Sequence, residues 1–145
     1  MTEILMALDI GSVRIGVSVS DGLGMLAHPL TTLKMGKKDT LPIGEIQSLI
    51  REKNVRRLIV GMPYTMKGTD SLQTAKIKEY VLELEKALTI PVETIDERLT
   101  TKMATEQLRA VGKKGSKNRN IIDQVAAVNI LQLYLDKEKI NRRVP

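Results

Sequence analysis

At 145 residues and 42% hydrophobic content the chain fits one domain with a sizeable aliphatic core. The absence of cysteine removes disulfides, thiolate zinc sites and Cys nucleophiles, and a single histidine, His28, leaves no His-based metal site or triad. A net charge of +6 favours polyanionic partners, whereas three tyrosines (64, 80 and 134), with no Phe or Trp, supply few platforms for base stacking. The opening MTEILMALDI lacks the basic start and apolar centre of a signal peptide, and no apolar run approaches the ~20 residues of a bilayer span. A soluble, cytoplasmic protein with no membrane partner is therefore expected.

In chain order, Ile4 to Leu8 reads as a buried strand opening into a turn at Asp9-Ile10-Gly11. Arg14 to Ser20 alternates Ile15, Val17 and Val19 with small or polar residues, a second strand reached through a hairpin. Asp21-Gly22-Leu23-Gly24 turns the chain into a third strand, Ala27 to Leu33, which completes a meander. The period then changes. Pro42 suits a first helical turn, and Ile46, Leu49 and Ile50 continue the helix to Lys53. Arg57 to Met62 is the next strand, Ser71 to Leu88 a helix with the stripe Ile77, Tyr80, Val81, Leu84 and Leu88, and Pro91 to Asp96 a short strand. Thr100 to Val111 reads as a helix capped by Thr100, and Ile121 to Lys137 as a long final helix. Between them Gly112 to Asn120, GKKGSKNRN, carries no apolar side chain and predicts a mobile loop. A meander followed by alternating helix and strand implies an α/β domain on a mixed sheet, over residues 1–138, with a basic tail at 139–145.

Three segments carry candidate chemistry. Asp9 closes the first strand, at the sheet edge where open α/β folds place their ligands. Gly11 and Gly16 behind it would let a phosphate or a substrate backbone approach closely. Asp96 and Glu97, followed by Arg98, lie between a strand and a helix, where acids also complement the helix macrodipole. Asp123 shares a helical face with Ala127 and Ile130, so its carboxylate points toward the sheet and wants a partner. Carboxylates from three separate segments suit a hard divalent cation, Mg²⁺ or Mn²⁺, and two such ions would activate water and stabilise the leaving oxygen of a phosphodiester. Lys113, Lys114, Lys117 and Arg119 precede Asp123 and are placed to hold a nucleic-acid backbone near the metal, although a solvated charged loop has the same composition.

The blocks ALDIGSVRIGVSVSD (Ala7 to Asp21), IVGMPYTMKG (Ile59 to Gly68), TIDERLTT (Thr94 to Thr101) and NIIDQVAAVNILQLYL (Asn120 to Leu135) together resemble the YqgF family. Its members are described as Holliday-junction-resolvase-like proteins and as nucleases maturing the 16S ribosomal RNA precursor. The resemblance implies a ribonuclease H-like fold: a five-stranded mixed sheet of order 3-2-1-4-5, strand 2 antiparallel, with helices on both faces. It also implies Asp9, Glu97 and Asp123 as the metal-binding catalytic set, and Arg14, Arg98 and the basic loop as facing nucleic acid. Asp21 and Asp96 lie in the same blocks and stay open as assisting acids. Gly61-Met62-Pro63 departs from the family's Gly-Leu-Pro by a near-isosteric change.

The function expected is a metal-dependent endonuclease acting on structured RNA, with ribosomal particles as the setting. Branched DNA is the rival substrate, because phosphate contacts position a nucleic acid without specifying it. A catalytically silent nucleic-acid-binding module is the alternative of a different class. Asp9 to Gly16 also resembles the phosphate loop of actin-like ATPases, but that architecture needs two copies of the domain and this chain has room for one.

Overall fold

The computed structural model describes residues 3–64, 71–97 and 115–143, with side chains in the last segment from 120 to 140. The helix expected at Thr100–Val111 lies outside the described residues. Strands β1 (Leu5–Ile10), β2 (Arg14–Ser20) and β3 (Ala27–Lys34) form the meander. Helix α1 (Ile43–Lys53) leads to β4 (Arg57–Met62), and α2 (Leu72–Ala87) to β5 (Val92–Asp96). A C-terminal helix spans Gly115–Arg143. The sheet order is β3-β2-β1-β4-β5; β1 is antiparallel to β2 and parallel to β4, and β4 is parallel to β5.

Period-two alternation sorts the strand residues into two cores. Met6, Leu8 and Ile10 of β1, with Ile15 and Val17 of β2 and Leu58, Val60 and Met62 of β4, pack beneath α1 and α2. Leu5, Ala7, Ile59 and Ile95 point the other way, onto Ile130, Leu131, Tyr134 and Leu135 of the C-terminal helix. Helices therefore cover both faces, as expected. Local chemistry sets the helix ends. Ser71 Oγ accepts the Thr74 N–H at 3.1 Å to start α2. Asn54, left-handed at φ 55°, ends α1 and returns its N–H to Arg51.

Several boundaries differ from the sequence expectation. β1 runs on to Ile10, paired through Asp9↔Gly16 and Ile10↔Ile15, so Asp9 lies inside a strand rather than in the turn. Pro42 is the N-cap of α1 rather than a first-turn residue. A short 3-10 turn at Lys37–Asp39 was not signalled. The expected loop Gly112–Asn120 is helical from Gly115, and the final helix continues past Lys137 to Arg143. Composition misled here because lysine and arginine are good helix formers as well as common loop residues. The outer strand β3 carries Pro29, and its register with β2 shifts beside Val17 and Ser18.

The C-terminal helix lies unusually close to β2. A Cβ on Gly16 would sit 1.8 Å from the backbone oxygen of Asp123, and one on Gly61 would meet Ile130 Cδ1 at 2.5 Å. Ser18 Oγ donates to the Ala127 carbonyl at 2.7 Å across the same gap. Gly16→Ala should therefore destabilise the fold by about 3 kcal/mol, because the clash is with backbone and the helix must lift as a unit. Urea unfolding of the two proteins measures this; a loss below about 1 kcal/mol would show that the helix docks more loosely than described.

Candidate active site

The parity that gives Leu5 and Ala7 to the C-terminal helix gives Asp9 to it as well, at the carboxyl end of β1. Gly16 and Arg14 of β2 continue the same face opposite, since Asp9 pairs with Gly16. The parallel strands β4 and β5 end at this edge too. Gly61 pairs with Ile95 and Met62 with Asp96, and the Glu97 N–H donates to the Met62 carbonyl at 3.2 Å. Glu97 Oε2 lies 2.6 Å from where a Cβ of Gly61 would stand, so glycine there makes room for the carboxylate. Asp123 arrives from the C-terminal helix, its backbone on Gly16 and its Oδ2 accepting the Arg14 Nε–H at 2.7 Å.

The electrostatics tie these carboxylates together. Burial, then the charge of Asp123, pushes the Asp9 carboxyl from the usual 3.8 to about 6. Burial, then Asp9, then Asp96, pushes Glu97 from 4.5 to about 7. Each shift records a negative charge held in a partly dry place beside another. Among the described residues no three His, Cys, Asp or Glu side chains are gathered at metal-binding spacing, and Asp123 is turned onto Arg14. The donor chemistry nevertheless fits a hard cation, since these are oxygen ligands in mutual repulsion with no soft ligand among them.

The other candidates fall elsewhere. Arg98, Lys113 and Lys114 lie outside the described residues, and Lys117 and Arg119 occupy the first turns of the C-terminal helix. Asp21 sits beyond the far end of β2, where its Oδ1 accepts the Met25 N–H at 2.9 Å; backbone hydrogen bonds, that one foremost, hold its carboxyl low. It is a turn residue and takes no part in the site. Asp96 contributes charge to Glu97. Gly11 and Gly16 also serve the fold itself. A Cβ on Gly11 would lie 2.8 Å from the Arg14 carbonyl, so both glycines admit the protein's own backbone. The role of Gly61 escaped the sequence reading, although its place two residues after buried Ile59 on an inward parity marks it.

A mixed sheet of order 3-2-1-4-5, clad on both sides and carrying acids at the edge where β1, β4 and β5 end, is a ribonuclease H-like fold. The structure superposes on Thermus thermophilus RuvC in complex with a Holliday junction substrate at TM-score 0.55, covering 95% of this chain and 96% of that one at 14% identity. Residues 3–137 match the RuvX family, described as Holliday junction resolvase. The chain belongs to that family. Among its relatives, proteins named "Putative pre-16S rRNA nuclease" from Chloroflexus aurantiacus and Chloroflexus aggregans are 42% and 43% identical, over 96% and 94% of this chain and 90% and 96% of theirs.

The raised carboxyls make a pH prediction. Folded Asp9 binds its proton more tightly than the unfolded chain does, so metal-free stability falls as pH rises from about 4 to about 6, and further to about 7 through Glu97. At pH 8 Asp9→Asn should then be more stable than the parent, by on the order of 2 kcal/mol, with the gain vanishing near pH 4. Denaturant unfolding in EDTA at the two pH values checks the sign. A less stable variant at pH 8 would mean that Asp9 is favourably partnered.

Proposed function

We propose that this protein is a metal-dependent nuclease that hydrolyses phosphodiester bonds in the precursor of 16S ribosomal RNA. Asp9, Glu97 and Asp123 are its catalytic carboxylates and hold the divalent cation, Mg²⁺ or Mn²⁺. The observation that carries this reading is the convergence of β1, the end of β5 and the C-terminal helix on one sheet edge, where burial, then the charge of Asp123, raises the proton affinity of Asp9, and burial, then the charge of Asp9, raises that of Glu97. The names of the Chloroflexus relatives supply the substrate. The family's description keeps branched DNA as the rival. No helix among the described residues is long and apolar enough to cross a membrane, and the setting proposed is the cytoplasm, on ribosomal particles.

The chain's own contribution is positioning and charge. Asp9 is held in a paired strand, Glu97 by its backbone bond to Met62, and Asp123 by a helix seated on glycine, so the backbones that carry the ligands are fixed before loading. When bound, the cation supplies an activated water and stabilises charge on the phosphoryl and leaving oxygens. Arg98, Lys113, Lys114, Lys117 and Arg119 are proposed to bind the nucleic-acid backbone, consistent with the net charge of +6.

Cleavage of a labelled ribosomal RNA precursor and a four-way DNA junction, with Mg²⁺, Mn²⁺ or EDTA, tests the proposal. The precursor should be cut only with metal, and Asp9→Asn should cut at least about 100-fold more slowly while still binding RNA. Cutting of the junction alone would move the substrate to DNA. A fully active Asp9→Asn would overturn the carboxylate assignment.

A further inference from the structure

Asp123 enters the site already partnered. Its Oδ2 accepts the Arg14 Nε–H at 2.7 Å, with the two side chains only 20% and 28% exposed. Both ends are anchored. Arg14 begins β2 and pairs with Lys34 of β3, while the backbone at Asp123 presses on Gly16 two residues further along the same strand. A guanidinium has donors only and stays charged at any working pH, so it cannot leave Asp123 by losing a proton. It must be moved by a competing charge.

We propose that Arg14 is an internal counter-ion of Asp123 that a divalent cation displaces on binding, so that loading the site releases an arginine at the sheet edge. The inference rests on Asp9, Glu97 and Asp123 being the cation-binding set. With Oδ2 committed to Arg14, a dication on the same carboxylate would stand within a few ångströms of a guanidinium, and like charges at that range in a half-buried place repel strongly. Exchange relieves that repulsion. The freed guanidinium is a planar multi-donor group beside the carboxylates, suited to a phosphate oxygen. The metal-free protein keeps it occupied, so this contact to phosphate becomes available only when the protein is loaded. A merely orienting arginine keeps its bond while the cation takes the other oxygen, so its Nε–H resonance stays in place on loading.

Calorimetric titration of Mg²⁺ and of Mn²⁺ into the metal-free parent, Arg14→Gln and Lys34→Gln tests the displacement. Displacement predicts about five- to tenfold tighter binding for Arg14→Gln. The Lys34→Gln control, which removes a neighbouring charge not bonded to Asp123, should change affinity by less than about twofold. Unchanged or weaker binding by Arg14→Gln, with the parent binding normally, overturns the displacement and leaves the nuclease reading standing. Absence of metal binding in the parent overturns both. A second measurement needs no variant at the site: the Arg14 Nε–H resonance of the parent should move, at saturating Mg²⁺, to the position and exchange rate of a solvent-exposed arginine. A resonance that stays in place overturns the proposal.

Discussion

The architecture depends on how near the C-terminal helix comes to the sheet. On the face it covers, β1 presents Ala7, β2 presents Gly16 and Ser18, and β4 presents Gly61, and the helix answers with Ala127. This trough of small residues lets helix backbone rest on strand backbone, which larger side chains at those positions would prevent. The close approach brings Asp123, a helical residue, into the electrostatic range of Asp9, a strand residue, without a long or mobile side chain in between. Packing and chemistry share one cause.

That arrangement opposes folding as well as enabling it. A domain of this size keeps a stability of roughly 5–15 kcal/mol, and carboxylates raised to about 6 and about 7 draw on it whenever they are ionised. The rest of the fold offsets the strain. The aliphatic core under α1 and α2 is continuous, and the C-terminal helix is tied down at Tyr134, about three turns beyond Asp123, by polar contacts. Arg57 Nη1 donates to Glu93 at 3.2 Å and to the Tyr134 hydroxyl at 3.1 Å, and Tyr134 itself bonds Glu93. The charged site thus stands on a helix that is fixed to the sheet again further along.

Much of this is written in the sequence, for physical reasons. The strands alternate cleanly because each face meets a helix layer, and their order follows from a short meander and parallel crossovers. Asp9, Glu97 and Asp123 could be picked out because each interrupts or ends a periodic apolar pattern. What stayed hidden involves partners distant along the chain. Gly16 read as room for a ligand and Gly61 as a strand residue, yet both make room for a helix more than sixty residues later in the chain. Arg14 read as a free cation for a ligand, and its carboxylate partner lies 109 positions away. The helical turns at Gly115–Asn120 were obscured by a composition that suits a loop equally well.

The outer strand β3 has a further consequence. Edge strands invite other chains to pair with them, and a five-stranded sheet rich in aliphatic residues would be a good template for such growth. Pro29 offers no N–H at the middle of that rim, and the register shift beside Val17 and Ser18 twists it out of flatness. The rim is therefore self-terminating: a strand arriving from another molecule meets a gap in the donor ladder before it can zip along the edge.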